Sequence, residues 1–291
     1  MNLAFLIDDN YAEQLAVTLT SLIINSKKDN EFNIFVFNTE LSEINKTKLK
    51  AIKCGKKYNI EFISVDEKVF ENLPKVSHLK TLNYVRILFP SLINEDKCLY
   101  LDCDLLVFKD LDELYNTDFD DNYAVAVRDR WANSFQIESQ MKKFGIDNYF
   151  NAGVMLLNLE KMRADSIQDK CLEYIKTNSK DIMFLEQCVF NKIFANNVKF
   201  VDKTFNFQYK LKHSEEVYKD FYNKNGCPHI IHFVGYEKPF GGFAHPFENK
   251  YFAFLKKTPF KITYLNFKLR MWESFFKKLK KRFVIIFKCM I

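Results

Sequence analysis

A chain of 291 residues that is 48% hydrophobic and 16% aromatic can bury a sizeable core, which excludes a disordered protein. Its formal charge of +6 is unevenly divided: residues 256–291 carry eleven Lys and Arg against one acid, Glu273, whereas residues 1–255 carry 32 basic against 36 acidic side chains. No apolar run reaches the roughly 18 residues needed to span a bilayer, and the start MNLAFLIDDN lacks a basic region and a long apolar stretch, so neither a membrane span nor a cleaved signal is expected.

The elements alternate along the chain. NLAFLI (2–7) reads as a strand, and Tyr11 to Ile24 as a helix with Leu15, Leu19 and Leu22 on its apolar face. FNIFVFN (32–38) and IEFISV (60–65) are strands separated by a helix over 42–54. A helix over 78–89, with His78, Leu82 and Arg86 along one face, precedes the buried strand CLYL (98–101). YAVAVRD (123–129) and VMLLNL (154–159) are two more strands, and 166–177 and 183–194 two more helices. Such alternation predicts an α/β fold with a mixed, mainly parallel sheet under covering helices. With no repeat and no low-complexity linker, residues 1–255 form one domain and 256–291 an appended tail.

In that tail Leu265, Leu269, Trp272, Phe276, Leu279, Phe283 and Ile286 recur at spacings of four and three, with Lys277, Lys278, Lys280, Lys281 and Arg282 mostly off the stripe. This is the pattern of an interfacial amphipathic helix, and its five basic residues supply up to about 5 kcal/mol at an anionic leaflet. The same pattern fits a helix packed on the domain with a solvated basic face. Nucleic acid is not expected, because the aromatics form a stripe and do not alternate with the basic residues. The seven cysteines lie at 54, 98, 103, 171, 188, 227 and 289 with no Cys-x-x-Cys pair, which suits free thiols in a reducing cytosol.

Three Asp-x-Asp pairs fall between residues 102 and 120. Asp110/Asp112 read as capping and first-turn residues of a short helix, and Asp118/Asp120 as a solvated turn. Asp102 and Asp104 follow the buried strand directly, and in an extended chain their side chains project to the same side while Cys103 points away. At the carboxyl end of such a strand they stand where a metal and a phosphate are wanted. Seven glycines include neither the dinucleotide fingerprint nor a phosphate loop, so the charge of a diphosphate must be met by a metal and basic side chains. Hard oxygen ligands with one imidazole suit Mn²⁺ or Mg²⁺. Asp8-Asp9-Asn10 after the first strand reads either as a helix N-cap or as a uracil and ribose contact, and HFVGYEKP (232–239) adds His232 as a third metal ligand and Lys238 as a diphosphate contact. Asn151-Ala152-Gly153, placed before a strand, and Glu186-Gln187 in a helix are unremarkable singly.

Taken in order, DDNY (8–11), His78 with Arg86, YLDCD (100–104), FNAGVMLLNL (150–159), Glu186-Gln187 and HFVGYEKP resemble the family 8 retaining glycosyltransferases, over about residues 2–260. That family includes bacterial lipopolysaccharide and lipooligosaccharide galactosyl- and glucosyltransferases, and glycogenin. The resemblance implies a GT-A fold with Mn²⁺ held by Asp102, Asp104 and His232. It implies uridine contacts from Asp8 and Asn10, and a substrate-binding Gly235 beside the diphosphate contact Lys238. Arg86, Asp102, Asn151 and Gln187 would touch the donor sugar, with Asp129 and His78 at the donor and acceptor cleft. Glu186, Gln187 and Asp129 are its candidate catalytic residues.

Two positions depart from the family pattern. Glu186 stands where many relatives have Asp, which loosens any inference about glucose against galactose, and Phe240 stands where bacterial relatives often have Trp. The stretch through His245-Pro246-Phe247 to Lys257-Thr258-Pro259-Phe260 resembles the C-terminal extension of lipopolysaccharide core transferases. The implied partners are therefore a UDP-hexose donor, a glycan or lipid-linked oligosaccharide acceptor, and the anionic inner face of a membrane, with a cytoplasmic, peripheral location. Retention leaves two routes open, a protein nucleophile or attack on the leaving-group side. A glycogenin-like self-glycosylating protein and a non-enzymatic membrane or nucleic-acid adaptor are the competing readings.

Overall fold

The computed structural model describes the chain except residues 28, 54, 67, 69–80, 212, 243 and 290–291, and except the side chains of 81 and 277–289. His78 and the start of the helix predicted over 78–89 lie outside the described residues. The strands are β1 (Asn2–Ile7), β2 (Phe32–Asn38), β3 (Tyr58–Ser64), β4 (Lys97–Leu101), β5 (Leu105–Val107), β6 (Ala124–Arg128), β7 (Phe150–Asn158), β8 (Val198–Phe200), β9 (Phe207–Tyr209) and β10 (Ile230–Phe233). The α-helices are α1 (Ala12–Asn25), α2 (Glu43–Lys50), α3 (Phe89–Leu92), α4 (Asp112–Tyr115), α5 (Phe135–Phe144), α6 (Leu159–Ala164), α7 (Ile167–Thr177), α8 (Glu186–Phe194), α9 (Glu215–Asn225), α10 (Glu248–Leu255) and α11 (Tyr264–Cys289).

Seven strands form one sheet in the order β3-β2-β1-β4-β7-β6-β8. The β1/β2, β1/β4, β2/β3 and β6/β8 pairs are parallel, and β7 runs antiparallel to both β4 and β6. This is the mixed, mainly parallel sheet expected from the alternation of elements. Strand order reverses between β1 and β4, and the carboxyl ends of two strands at such a switch point frame a ligand crevice. Asp8 and Asp102 each follow one of those two strands. A three-stranded sheet, β5-β10-β9, stands beside the first and carries His232 on β10.

Side-chain alternation separates the core into two layers. Tyr100, Ala126, Met155 and Leu157 enter one cluster, while Leu99, Leu101, Val125, Val154 and Leu156 enter the other. Both faces of the central strands are thereby covered, which is why their sequences are nearly continuous apolar runs.

Several predicted boundaries move. Residues 151–153 are not a lead-in to a strand: β7 begins at Phe150, held there by pairing with Arg128 and by the Asp102 amide donating to the Gly153 carbonyl at 2.8 Å. Residues 81–88 form a 3-10 helix followed by the short α3, with Pro90 in its first turn. Leu82, Tyr84, Val85, Arg86 and Ile87 are all buried there, with Asn83 and Leu88 half-buried. The predicted helix over 183–194 starts at Glu186, after Leu185 adopts φ 46°.

A third cluster joins the small sheet to α10 and to the first half of α11, where Phe267 and Met271 are buried with Tyr251, Phe252 and Leu255. Arg270 donates to both carboxylate oxygens of Glu13 at 2.8 and 3.0 Å, and Lys268 pairs with Glu248. On the opposite side of α11, Leu265, Leu269, Trp272 and Phe276 are 68, 53, 64 and 52% exposed. Among the described residues no helix is long and apolar enough to cross a membrane.

Candidate active site

Asp102 and Asp104 flank a bend between β4 and β5, and both carboxylates face the imidazole of His232. The Tyr100 hydroxyl donates to Asp102 Oδ1 at 2.5 Å and the Arg86 guanidinium lies 3.7 Å from the same oxygen, leaving Oδ2 toward His232 Nε2 at 3.6 Å. Asp104 Oδ1 lies 3.2 Å from Nε2 and, among the described residues, is buried without a hydrogen-bond partner. His232 Nδ1 stands 3.0 Å from Asn206 Oδ1, an acceptor, so Nδ1 carries the proton and Nε2 presents its lone pair to the carboxylates. Two carboxylates and an imidazole lone pair, with ligand atoms all within 4.8 Å of one another, fit a divalent cation.

Gly153 makes the convergence possible. A Cβ there would lie 2.3 Å from His232 Cε1 and 2.7 Å from Asp102 Oδ2, so β7 can pass under the cluster only as glycine. Lys238 follows the turn at Gly235, whose φ is 83°, and its ammonium contacts Asp104 Oδ2 and the Phe233 carbonyl. Burial alone would raise the Asp104 carboxyl; the Lys238 ammonium overcomes this and holds it below the usual carboxylate range.

A second group lies along β7 and α8. Arg86 is buried under the cluster, donating to the Ala152 carbonyl at 2.9 Å, stacking over the Tyr100 ring at 4.7 Å and pairing with Glu186 Oε1. Glu186 Oε2 is buried without a hydrogen-bond partner among the described residues. Burial pushes the Glu186 carboxyl up to about 7 against the pull of Arg86. Gln187 Oε1 accepts the Ala152 amide at 3.0 Å and faces the Asn151 amide nitrogen at 3.5 Å. Asn191, one turn further along α8, exchanges two hydrogen bonds with the Phe150 backbone and fixes the helix on the strand. Asn151 then links the two groups, accepting from Asn206 at 2.9 Å and donating to Asp129 Oδ2 at 3.3 Å. Burial raises the Asp129 carboxyl, opposed by the Trp131 amide and Asn151.

The structure thus brings together Arg86, Asp102, Asp104, Asp129, Asn151, Glu186, Gln187, His232 and Lys238. Asp8 is the N-cap of the 3-10 turn Asp9–Tyr11, accepting from the Tyr11 amide, and Asn10 is exposed at the same corner. The Tyr11 hydroxyl is raised by burial and then by Asp104, which places this corner within electrostatic reach of the cluster. Sequence reasoning missed Asn206 and Tyr100 as orienting groups and did not single out Gly153. Tyr100 had a readable signal, two residues before Asp102 on one side of the strand; Asn206 had none. Of the other aspartate pairs, Asp112 accepts from Asn30 and pairs with Lys27 at the start of α4, and Asp118 closes an exposed turn, both as expected. Phe240 packs on Tyr251 with ring centroids 5.1 Å apart.

A Rossmann-like sheet with a carboxylate pair at its switch point and a histidine brought in from a second sheet defines a GT-A glycosyltransferase. The sequence profile of Glycosyl transferase family 8 matches residues 2–241, and the chain belongs to that family. It is similar to the crystal structure of the galactosyltransferase LgtC in complex with donor and acceptor sugar analogs, with a TM-score of 0.75 and 28% identity over 89% of this chain and 96% of that one. It is 28% identical to General stress protein A of Bacillus subtilis, over 89% of this chain and 94% of that protein. It is 26% identical to the lipopolysaccharide 1,2-glucosyltransferase of Escherichia coli, over 86% of this chain and 76% of that protein.

Proposed function

We propose that this protein transfers galactose or glucose from a UDP-sugar to a lipopolysaccharide-type glycan with retention of configuration, using Mn²⁺ at Asp102, Asp104 and His232. The observation that carries this reading is the buried, partnerless Asp104 Oδ1 set against the His232 Nε2 lone pair, with Gly153 clearing the space between β7 and the cluster. A divalent metal bound there would neutralise the charge that develops on the departing diphosphate. Lys238 supplies a second positive charge to the same diphosphate, and Asp8 and Asn10 hold the uridine.

The residues around the sugar favour attack on the leaving-group side over a protein nucleophile. Glu186 Oε1 is committed to Arg86, and Gln187 is an amide engaged with Ala152. Glu186 Oε2, buried and without a partner, suits a hydroxyl of the donor hexose. In this route the acceptor oxygen bonds to the anomeric carbon as the bond to the diphosphate oxygen breaks. The electron pair leaves with UDP and the hydroxyl proton passes to the departing phosphate. Asp129 and Glu186 stabilise the positive charge on the sugar ring, as paired acids do in glycoside hydrolysis.

The exposed stripe of α11 and the basic run beyond it suit a peripheral association with an anionic membrane surface, where a lipid-linked acceptor is presented. The test is UDP release from UDP-galactose or UDP-glucose with Mn²⁺, with Mg²⁺ and with excess chelator. Slow release from one donor, abolished by chelator, supports both donor and metal. Release that persists unchanged in chelator would overturn the metal assignment.

A further inference from the structure

A cavity of about 550 Å³ opens between the end of β6 and residues 201–208, lined in part by Arg128, Asp129, Arg130, Asp202, Lys203 and Asn206. Asp129 and Asn206 are also the two partners of Asn151, and Asn206 orients His232. The cavity and the metal cluster therefore share a wall. Its volume is in the range that holds a sugar.

The charges in this cavity are unequally matched. Asp202 accepts the Thr204 amide at 2.8 Å, and Asp129 accepts the Trp131 amide at 2.8 Å as well as Asn151, so both carboxylates are turned onto nearby donors. Among the described residues the three cations have only neutral hydrogen-bond and ring partners. Arg128 donates to Asn133 Oδ1 at 3.2 Å, and Lys203 lies over the Phe221 ring at 5.3 Å. Arg130 donates to the Gln208 carbonyl at 3.1 Å, to the His213 carbonyl at 2.8 Å and to the Ser214 hydroxyl. Three cations against two carboxylates leave the lining with an excess of positive charge, and guanidinium groups held in place by amide and carbonyl oxygens, with the carboxylates turned onto other donors, are prepared for an anion.

We infer that this cavity is the acceptor subsite and that the acceptor sugar carries an anionic group, a phosphate or a carboxylate, near the hydroxyl that receives the hexose; the assignment rests on the transferase reading above. Asp129 lies at the end shared with the donor site, and Arg128, Arg130 and Lys203 hold the anionic group and so orient the hydroxyl. The anion itself makes and breaks no bond.

The experiment uses the full chain with UDP and Mn²⁺ and titrates glucose, glucose 6-phosphate, glucuronate and inorganic phosphate calorimetrically. One or both of the anionic sugars bind at least about tenfold more tightly than glucose, and which of them does identifies the anion. The double variant Arg128→Ala/Lys203→Ala, at two exposed positions, loses that preference by about tenfold while its melting curve matches the parent. Equal affinity for all three sugars overturns the inference, and so does inorganic phosphate binding as tightly as the sugar phosphate, which marks an adventitious anion site. Donor turnover is measured separately. Chelator-sensitive turnover without a preference for anionic sugars removes only the subsite, whereas the preference without any turnover retires the acceptor assignment and leaves a sugar-anion site.

Discussion

A Cβ placed on Gly153 would sit 2.3 Å from Cε1 of His232, closer than any real side-chain contact, so a main-chain position on β7 sets where the imidazole can be. Gly153→Ala is expected to displace His232 and Asp102 and to abolish metal-dependent UDP binding. Calorimetric titration of Mn²⁺ in the presence of UDP checks this; an unchanged affinity would show that the imidazole has room to move.

Asn206 is expected to act through His232. Removing its side chain in Asn206→Ala frees the ring to change tautomer and should weaken metal affinity by about 10–100-fold. The measurement is a Mn²⁺ titration, and a weaker loss in Asn206→Asp, which retains the acceptor oxygen, separates orientation from folding.

Asp102→Asn and Asp104→Asn should each remove nearly all turnover, yet they differ in stability. Only the second leaves the Lys238 ammonium, 14% exposed, without its carboxylate, so only the second should lower the melting temperature clearly. Lys238→Met tests the same contact from the other side. With the competing ammonium gone, Mn²⁺ alone should bind the variant about tenfold more tightly, and UDP less tightly, than the parent.

Glu186 predicts a pH dependence. Its folded value of about 7 lies above its ordinary 4.5, so the stability it contributes is complete below pH 4.5 and is lost as pH rises through 7. Relative to Glu186→Gln, the parent should lose up to about 3 kcal/mol between pH 4 and pH 8, read from denaturant midpoints at each pH. A difference that is flat with pH would mean that Arg86 keeps the carboxylate ionised throughout.

Met271 and Trp272 are neighbours with opposite surroundings, 5 and 64% exposed. Met271→Glu buries a charge against Tyr251 and Phe252 and should destabilise the protein by about 2–4 kcal/mol. Trp272→Glu should change stability by less than about 0.5 kcal/mol while reducing co-sedimentation with anionic vesicles. Equal sedimentation of parent and Trp272→Glu would remove the membrane assignment from this stripe.

The sequence by itself determined the alternating α/β architecture, because strand and helix periods are local properties of side-chain order. It also singled out Asp102 and Asp104 from the other Asp-x-Asp pairs, because they alone directly follow a buried strand. A helix was legible over residues 78–89, and 81–88 are helical; that they wind as a 3-10 helix was not legible, because the burial of Leu82, Tyr84, Val85, Arg86 and Ile87 follows from neighbours remote in the chain. The start of β7 at Phe150 escaped the sequence because β4 and β6 impose the pairing. Tertiary structure alone decided that Asn206 fixes the His232 tautomer, that Glu186 is bound to Arg86, and that Gly153 must lack a Cβ. Each is a contact between residues 26 to 100 positions apart, and no local pattern encodes such a distance.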